Sequence, residues 1–401
     1  VADVKTRVWF PVLAVLLATL IPYLLAEGVY ALVKGRRAET SLGYSFYSQW
    51  FAARHHTEAD PLDASTLMLT DVGQIEPLLG LMKANGFGLG NSPFSELETQ
   101  EAAVNERQGD CLVQKPGLRK TVGFLRGNLF DPFDQVTFFY DADRELPAEL
   151  EAFLRRYAFR RVAHSTNAAG ERNTFPPVES ARKVLIAGDS VANGLMLDDR
   201  ETLASQIQSH DGSRQYVNLG IAGAAAADTV CALERAAARY HGSIDELIYV
   251  LCENDWSESE KYGQPDALID WIEGFRTREA IPHVTFLYVP YIYNTAPELT
   301  RLRGHKHFEK PTYHDEKHRA LERAHSAGFK VVDFLDIANE ERDRLGTQFA
   351  SLALYVDHIH FSRSGVERLL PRLLESMPTP RRVVQNSPDL ERAGAPLPNG
   401  G

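Results

Sequence analysis

The sequence has no basic surplus. Its 401 residues carry 43 Lys and Arg against 54 Asp and Glu, a formal charge of -11, and that balance repels a phosphate backbone rather than collecting one. Nucleic acid is therefore not expected as a partner. Cysteine is scarce too. Cys111, Cys231 and Cys252 form no C-x-x-C pair, and three is an odd count, so neither a thiolate metal site nor a disulfide framework is expected and the compartment cannot be read from them. No G-x-S-x-G occurs, which argues against the nucleophile elbow of the α/β-hydrolases. No internal repeat is visible. What is present is ordinary: 44% hydrophobic and 24% charged residues sit close to globular averages and exclude a mainly disordered chain. At roughly 150 residues per domain the length suggests about two to three units.

One long apolar run stands out. From Val8 to Ala26 the chain reads VWFPVLAVLLATLIPYLLA without a charge, and after Glu27 the apolar character resumes through Val33. As a helix this is about long enough to cross a hydrocarbon core of roughly 30 Å. Trp9 near one end and Tyr23 and Tyr30 towards the other suit interfacial aromatic belts. Pro11 falls in the first turns and Pro22 would kink the helix, both tolerable in a membrane. A cleaved signal peptide is the rival reading, but its apolar core is normally about 7–15 residues and ends in an A-x-A-like site, and Leu24-Leu25-Ala26 is a poor one. Residues 8–33 are accordingly expected to be a transmembrane anchor, which makes the membrane a partner through the N-terminal helix. Lys5 and Arg7 precede the span while Lys34, Arg36 and Arg37 follow it, so the positive-inside rule does not fix the orientation.

Residues 38–180 read as a membrane-proximal spacer or accessory region of mixed α+β character. Leu67–Leu69 and Val136–Tyr140 look strand-like, Leu146–Tyr157 helical and Gly86–Pro93 turn-rich. From 181 to 377 the pattern becomes regular. Apolar, β-branched runs at Val184–Ala187, Tyr216–Leu219, Leu247–Leu251, Val284–Val289 and Val331–Leu335 alternate with helix-like stretches at Glu201–Ser209, Ala226–Tyr240, Ala267–Arg278 and Glu316–Ala327, with a last helix near Gly365–Met377. Strand and helix at this spacing predict a five-stranded parallel sheet with crossover helices on both faces, whose function gathers at the carboxyl ends of the strands. Residues 378–401, rich in Pro, Gly, Asn and Arg, are expected to be a flexible tail.

Four strand ends carry residues suited to one chemistry. The first strand runs into Gly188-Asp189-Ser190 with Gly194 close behind, placing a hydroxyl at the mouth of a helix; alone, the tripeptide is as easily a turn with a helix cap. After the second strand comes Asn218-Leu219-Gly220-Ile221-Ala222-Gly223, whose glycines let backbone N–H groups approach a ligand. The third ends in Cys252-Glu253-Asn254-Asp255, offering a side-chain amide to a developing oxyanion. Beyond the last strand stand Asp357 and His360, three apart, so that a carboxylate can hold an imidazole while its other nitrogen reaches Ser190. His358 adjoins Asp357, but neighbouring side chains diverge. His305, His307, His314 and His318 have spacings that would allow zinc, yet they are interleaved with Lys306, Lys310 and Lys317 and read better as a solvated loop. No metal or cofactor is required.

These four blocks resemble the SGNH/GDSL hydrolase superfamily. Gly188, Asp189, Ser190 and Gly194 match its first block, Asn218, Gly220 and Gly223 its second, Asn254 and Asp255 its third, and Asp357, His360, Ser362 and Gly365 its last, over about 185–375; Cys252 stands where the third block usually has glycine. A branch with an N-terminal span ending in glutamate and a T-N-x-x-G-x-R segment is also similar, through Glu27, Thr166, Asn167, Gly170 and Arg172, with the Glu201-Thr202 pair. The resemblance implies a flavodoxin-like three-layer sandwich, a Ser190–His360–Asp357 triad, and an oxyanion hole from Ser190, Gly223 and Asn254, supported by Gly188, Asp189, Gly220 and Asp255. It further implies an ester-bearing substrate, an acylated glycan or a lipid. The leading expectation is a membrane-anchored serine esterase acting on a short acyl group such as acetyl, possibly on an envelope glycan, with its catalytic domain outside the cytoplasm (periplasmic). A lipid-directed esterase or lipase, an O-acyltransferase and a non-catalytic glycan-assembly subunit are the alternatives.

Overall fold

Strands covered on both faces need near-continuous apolar sequence rather than alternation, and the described chain has five such strands in one sheet. The structure, a computed structural model, describes residues 104–124, 138–139, 160–253, 255, 265–295, 314–346, 350–357 and 359–378, with isolated positions 18, 22, 148, 151 and 152. In chain order the strands are β1 (Asn105–Gln108), β2 (Cys111–Gln114), β3 (Arg119–Phe124), β4 (Phe138–Phe139), β5 (Arg160–Ser165), β6 (Lys183–Ala187), β7 (Gln215–Asn218), β8 (Ile244–Cys252), β9 (His283–Val289) and β10 (Lys330–Asp333). The α-helices are α1 (Ser190–Asn193), α2 (Leu203–His210), α3 (Ala226–Tyr240), α4 (Pro265–Arg278), α5 (His314–Ser326), α6 (Phe334–Leu345) and α7 (Arg363–Ser376).

The central sheet runs β10-β9-β8-β6-β7, and every neighbouring pair is parallel. Its first strand, β6, lies between the second and the third, so the order of addition reverses there. Such a reversal leaves a crevice at the carboxyl ends of the strands that flank it, here β6 and β8. Helices α3, α4 and α5 pack on one face, their Leu233, Ala236, Leu268, Ile272, Ala320 and Ala324 joining Leu185, Tyr249 and Phe286 of the sheet in one buried cluster. Helices α2, α6 and α7 pack together on the opposite side, α6 against β9 and α7 against β10. The expected three-layer sandwich is therefore present.

Element boundaries follow local chemistry. The strand expected over Val331–Leu335 stops at Asp333, whose carboxylate accepts the Leu335 N–H at 2.9 Å and opens α6, a helix the sequence pattern did not announce. A side-chain oxygen that satisfies an orphan N–H of the first turn favours helix over continued strand. Ser362 caps α7 in the same manner, accepting from Gly365 N–H at 3.1 Å.

The described part of the 38–180 region packs on this sandwich. Strands β4-β3-β5 form an antiparallel sheet and β1-β2 a hairpin. Val104, Val122, Phe124 and Val162 from these strands and their flanks share a buried cluster with Leu195, Met196, Ala222 and Val356, which lie on three of the four loops that carry the candidate chemistry. The antiparallel sheet thus rests on the site loops themselves.

One expectation is overturned. Cys111 and Cys231 form a disulfide across 120 residues of sequence, with Cα atoms 5.9 Å apart, and Cys252 is a buried thiol outside any disulfide. The pairing joins β2 to α3, a contact that depends on the tertiary fold and leaves no trace in cysteine spacing. The expected anchor at 8–33 and the tail lie outside the described residues apart from Ala18 and Pro22, both helical, and Pro378; Leu67–Leu69 and Gly86–Pro93 lie wholly outside them. Among the described residues no helix is long and apolar enough to cross a membrane.

Candidate active site

The site is assembled from loops that leave adjacent strand ends. After β6, the Asp189 carboxylate accepts the Val191 N–H at 2.9 Å and so caps α1, a single turn closed by left-handed Gly194. Ser190 is the first residue of that turn and 8% exposed. The turn is held from behind by Arg172, the arginine of the T-N-x-x-G-x-R segment. Its guanidinium is buried and donates to the carbonyls of Asn193 (2.8 Å), Gly194 (2.5 Å), Leu197 (2.6 Å) and Ala163 (3.3 Å) and to Asp199 (3.1 Å). Helix C-terminal carbonyls lack intrahelical donors, and a planar five-donor fork can satisfy several at once.

After β7, Asn218 folds the chain back by accepting the Gly220 N–H at 3.0 Å. Gly220 crosses so close to α1 that a Cβ there would lie 2.1 Å from the backbone nitrogen of Asn193, which leaves room only for hydrogen. Asn193 returns the contact, its amide donating to the Gly220 carbonyl at 2.8 Å. Beyond buried Ile221 and Ala222, Gly223 emerges at the surface with φ 75°, a conformation that favours glycine.

At the end of β8 the replacement of glycine by Cys252 is accommodated. Its thiol donates to Asp189 Oδ1 at 3.5 Å and its N–H to Asp255 Oδ2 at 3.0 Å, so the cysteine links the first and third blocks. Next to it Glu253 is buried and receives the Tyr288 hydroxyl (2.5 Å), the Tyr291 N–H (2.7 Å) and the Asn294 amide (2.6 Å). Burial pushes its carboxyl up, and those donors together with Lys317 only partly offset the shift. Asn254 lies outside the described residues.

The last block closes the site. Asp357, 1% exposed, accepts the backbone N–H groups of Ile359 (2.9 Å) and His360 (2.8 Å) through Oδ1. Its Oδ2 lies 2.7 Å from His360 Nδ1. On the far side of the ring, Nε2 lies 2.8 Å from Ser190 Oγ. Because a carboxylate only accepts, Nδ1 carries the proton and Nε2 is free to take one from the hydroxyl. The first and last blocks thus meet through Ser190 and His360. No protein-family model matches this chain. No curated protein matches it. Solved structures similar to it include a lipolytic G-D-S-L family protein from Veillonella parvula (13% identity, 48% of this chain and 97% of that one, TM-score 0.37). Others are a catalytic mutant of an acetylxylan esterase from Geobacillus stearothermophilus (16%, 50% and 95%, TM-score 0.36) and an α/β hydrolase enzyme from the metagenome of Lake Arreo, Spain (16%, 49% and 95%, TM-score 0.37).

The structure thus brings Ser190, His360, Asp357, Gly188, Asp189, Gly220, Cys252 and Asp255 to one sheet edge, with Gly223 on the loop beside them. His358, His305 and His307 lie outside the described residues. His318 is exposed on α5 and pairs with Glu322. Among the described residues no group of three or more His, Cys, Asp or Glu is placed to hold a metal ion. Sequence reasoning missed the contributions of Asn193, Glu253 and, from β1 and β2, Asn105 and Gln114. The Gly109-Asp110 pair between two short runs is a hairpin signal that was available for the last two.

Proposed function

We propose that the chain is a serine esterase of the SGNH/GDSL type that cleaves or transfers a short acyl group, such as acetyl, from an ester-bearing substrate such as an envelope glycan. The observation that carries this reading is the continuous contact Asp357–His360–Ser190, at 2.7 and 2.8 Å. These are distances at which proton transfer is direct. In the forward step Ser190 Oγ attacks the acyl carbonyl carbon while its proton passes to His360 Nε2. The tetrahedral oxyanion is held by the N–H groups of Ser190 and Gly223 and the amide of Asn254. As it collapses, the C–O bond to the leaving alcohol breaks, and His360 returns the proton to that oxygen. Water, or an acceptor hydroxyl, then attacks the acyl-serine carbonyl carbon as its proton passes to His360, and the C–O bond to Ser190 breaks as His360 returns that proton to Oγ, releasing the acyl group as the acid or a new ester. Asp357 fixes the tautomer and stabilises the transient imidazolium.

Residues 8–33 are proposed to anchor the enzyme with the catalytic domain outside the cytoplasm. Support comes from the Cys111–Cys231 disulfide, since such bonds persist mainly in oxidising compartments. The test of the activity is covalent labelling by a fluorophosphonate together with hydrolysis of p-nitrophenyl acetate and p-nitrophenyl palmitate. Labelling that is lost in Ser190→Ala and turnover that favours the acetate are expected. Labelling that survives Ser190→Ala, or no ester turnover by the folded protein, would overturn the reading, and preference for the palmitate would turn it towards a lipase. An alkaline phosphatase fusion on the C-terminal side that is inactive would reverse the assigned orientation.

A further inference from the structure

Residues outside the four blocks hold the Gly220–Gly223 loop. The hairpin of β1 and β2 straddles the Gly220–Gly223 loop, and its two cross-strand partners, Asn105 and Gln114, each grip one carbonyl of that loop. The Asn105 amide donates to the Ala222 carbonyl at 2.8 Å, and the Gln114 amide donates to the Gly220 carbonyl at 2.7 Å. Both side chains are buried, at 2% and 4% exposure. Gln114 is in turn fixed at its other end, where its carbonyl oxygen accepts from the Asn193 amide (3.3 Å) and from His164 Nε2 (3.1 Å). Burial and the nearby Arg172 hold the His164 imidazole neutral, well below its ordinary range.

The Ala222 carbonyl and the Gly223 N–H belong to one planar peptide unit. In a trans peptide they point in opposite directions, so a donor that fixes the carbonyl also fixes where the N–H aims. A hydrogen bond to the carbonyl also polarises the unit and strengthens its N–H as a donor. Gly223 has φ 75° and no side chain to resist rotation, so the loop itself holds this peptide weakly.

We propose that Asn105 is a positioning residue for the oxyanion hole: by anchoring the Ala222 carbonyl it aims the Gly223 N–H at the developing oxyanion. The Cys111–Cys231 disulfide, together with Asp228, clamps the hairpin that presents it. Asp228 Oδ1 accepts the Leu112 N–H at 2.8 Å while its Oδ2 accepts the Ala225 N–H at 3.1 Å, just beyond Gly223. The hairpin, the loop and the first turn of α3 therefore move as one piece while the disulfide is closed. This inference rests on the esterase reading and adds to it a dependence of the transition state on a segment some 85 residues before the nucleophile.

The test compares transition-state and ground-state binding in wild type, Asn105→Ala, Asn105→Leu, which is close in shape and offers no donor, and the hairpin control Gln108→Ala. Turnover of p-nitrophenyl acetate gives kcat and KM. Inhibition by a short alkylboronic acid, which forms a tetrahedral adduct on the serine, reports the oxyanion hole. Asn105→Ala and Asn105→Leu are expected to lower kcat by about tenfold to a hundredfold, short of the roughly 10²–10³ for deleting a hole donor outright. KM should stay within about threefold, and boronate affinity should fall by the same factor as kcat/KM. Gln108→Ala should match wild type. Folded Asn105 variants with unchanged kcat, or with a boronate affinity that does not follow kcat/KM, would overturn the proposal. Should neither variant fold, reduction of the wild-type disulfide decides: parallel loss of kcat and boronate affinity in the folded, reduced protein supports the clamp, and no change overturns it. Failure of the esterase reading is distinct, since wild type itself would then show neither turnover nor Ser190-dependent labelling.

Discussion

The hydroxyl of Ser190 lies 2.8 Å from Nε2 of His360, so removing either group removes the proton transfer proposed for the site. Ser190→Ala should lower kcat by roughly 10⁴–10⁶, leaving what binding and the oxyanion hole supply. His360→Ala should approach it, and the double variant should cost little more than either alone, because groups that act as a unit are not additive. His358→Ala should retain near-normal kcat; if it proves the more damaging histidine change while both variants fold, the roles given to His360 and Asp357 fail. A second residue-scale expectation concerns Glu246, far from this chemistry near the start of β8. It meets Arg214 at 2.9 Å and Thr285 at 3.1 Å, yet burial outweighs these partners and raises its carboxyl from 4.5 to about 7. The folded state then binds this proton more tightly than the unfolded chain. Its contribution to stability is complete below about pH 4.5 and is lost as pH rises through about 7. Urea unfolding at several pH values between 4.5 and 7.5 should show a flatter profile for Glu246→Gln than for wild type, and identical slopes would rule this group out as the source.

At the scale of elements, the single turn α1 is too short to be stable by itself and depends on the Arg172 guanidinium beneath it. Arg172→Met should cost about 3–5 kcal/mol, because it leaves Asp199 uncompensated in a buried site and several carbonyls without a donor. Arg172→Lys should recover little of this, since a point charge cannot reproduce the planar fork. Urea midpoints for both variants give the answer, and losses under about 1 kcal/mol would remove the hub role. Arg172 also marks where sequence reading succeeds and where it stops. The strands of the central sheet were legible because burial on both faces demands runs such as VLIA and LIYVL, and Ala226–Tyr240 emerged with the observed ends because its apolar period is clean. The first and last blocks were legible through residue types spaced for one chemistry. Of the β1-β2 hairpin only the Gly109-Asp110 turn left a sequence signal. Its first strand, Asn-Glu-Arg-Gln, carries no apolar alternation, and it is held by partners some 106 to 120 positions away: Gly220, Ala222, Asp228 and Cys231. Signals of that range lie in the fold and not in any sequence window.

At the scale of the whole molecule, the contacts among the described residues that join the accessory strands to the sandwich include shared apolar clusters, the Arg172 hub, the hydrogen bonds of Asn105, Gln114 and Leu112, and the disulfide. The disulfide spans 120 residues, and closing so long a loop in the unfolded chain removes more conformational entropy than closing a short one, approaching about 5 kcal/mol in the chain-entropy account. Measured effects of native disulfides are usually smaller, about 2–4 kcal/mol. The Cys111→Ser/Cys231→Ser double variant should therefore lose roughly 2–4 kcal/mol of unfolding free energy, a large part of the margin of a typical domain. Cys252 offers an internal control, because it is buried and stands outside the disulfide. Thiol titration of wild-type protein unfolded without reductant should find one group, and reductant should raise the count to three. Material made in a reducing cytoplasm should behave like the double variant and regain stability on oxidation. Three free thiols in protein recovered from an oxidising compartment would remove the clamp, and with it the structural support for placing the catalytic domain outside the cytoplasm.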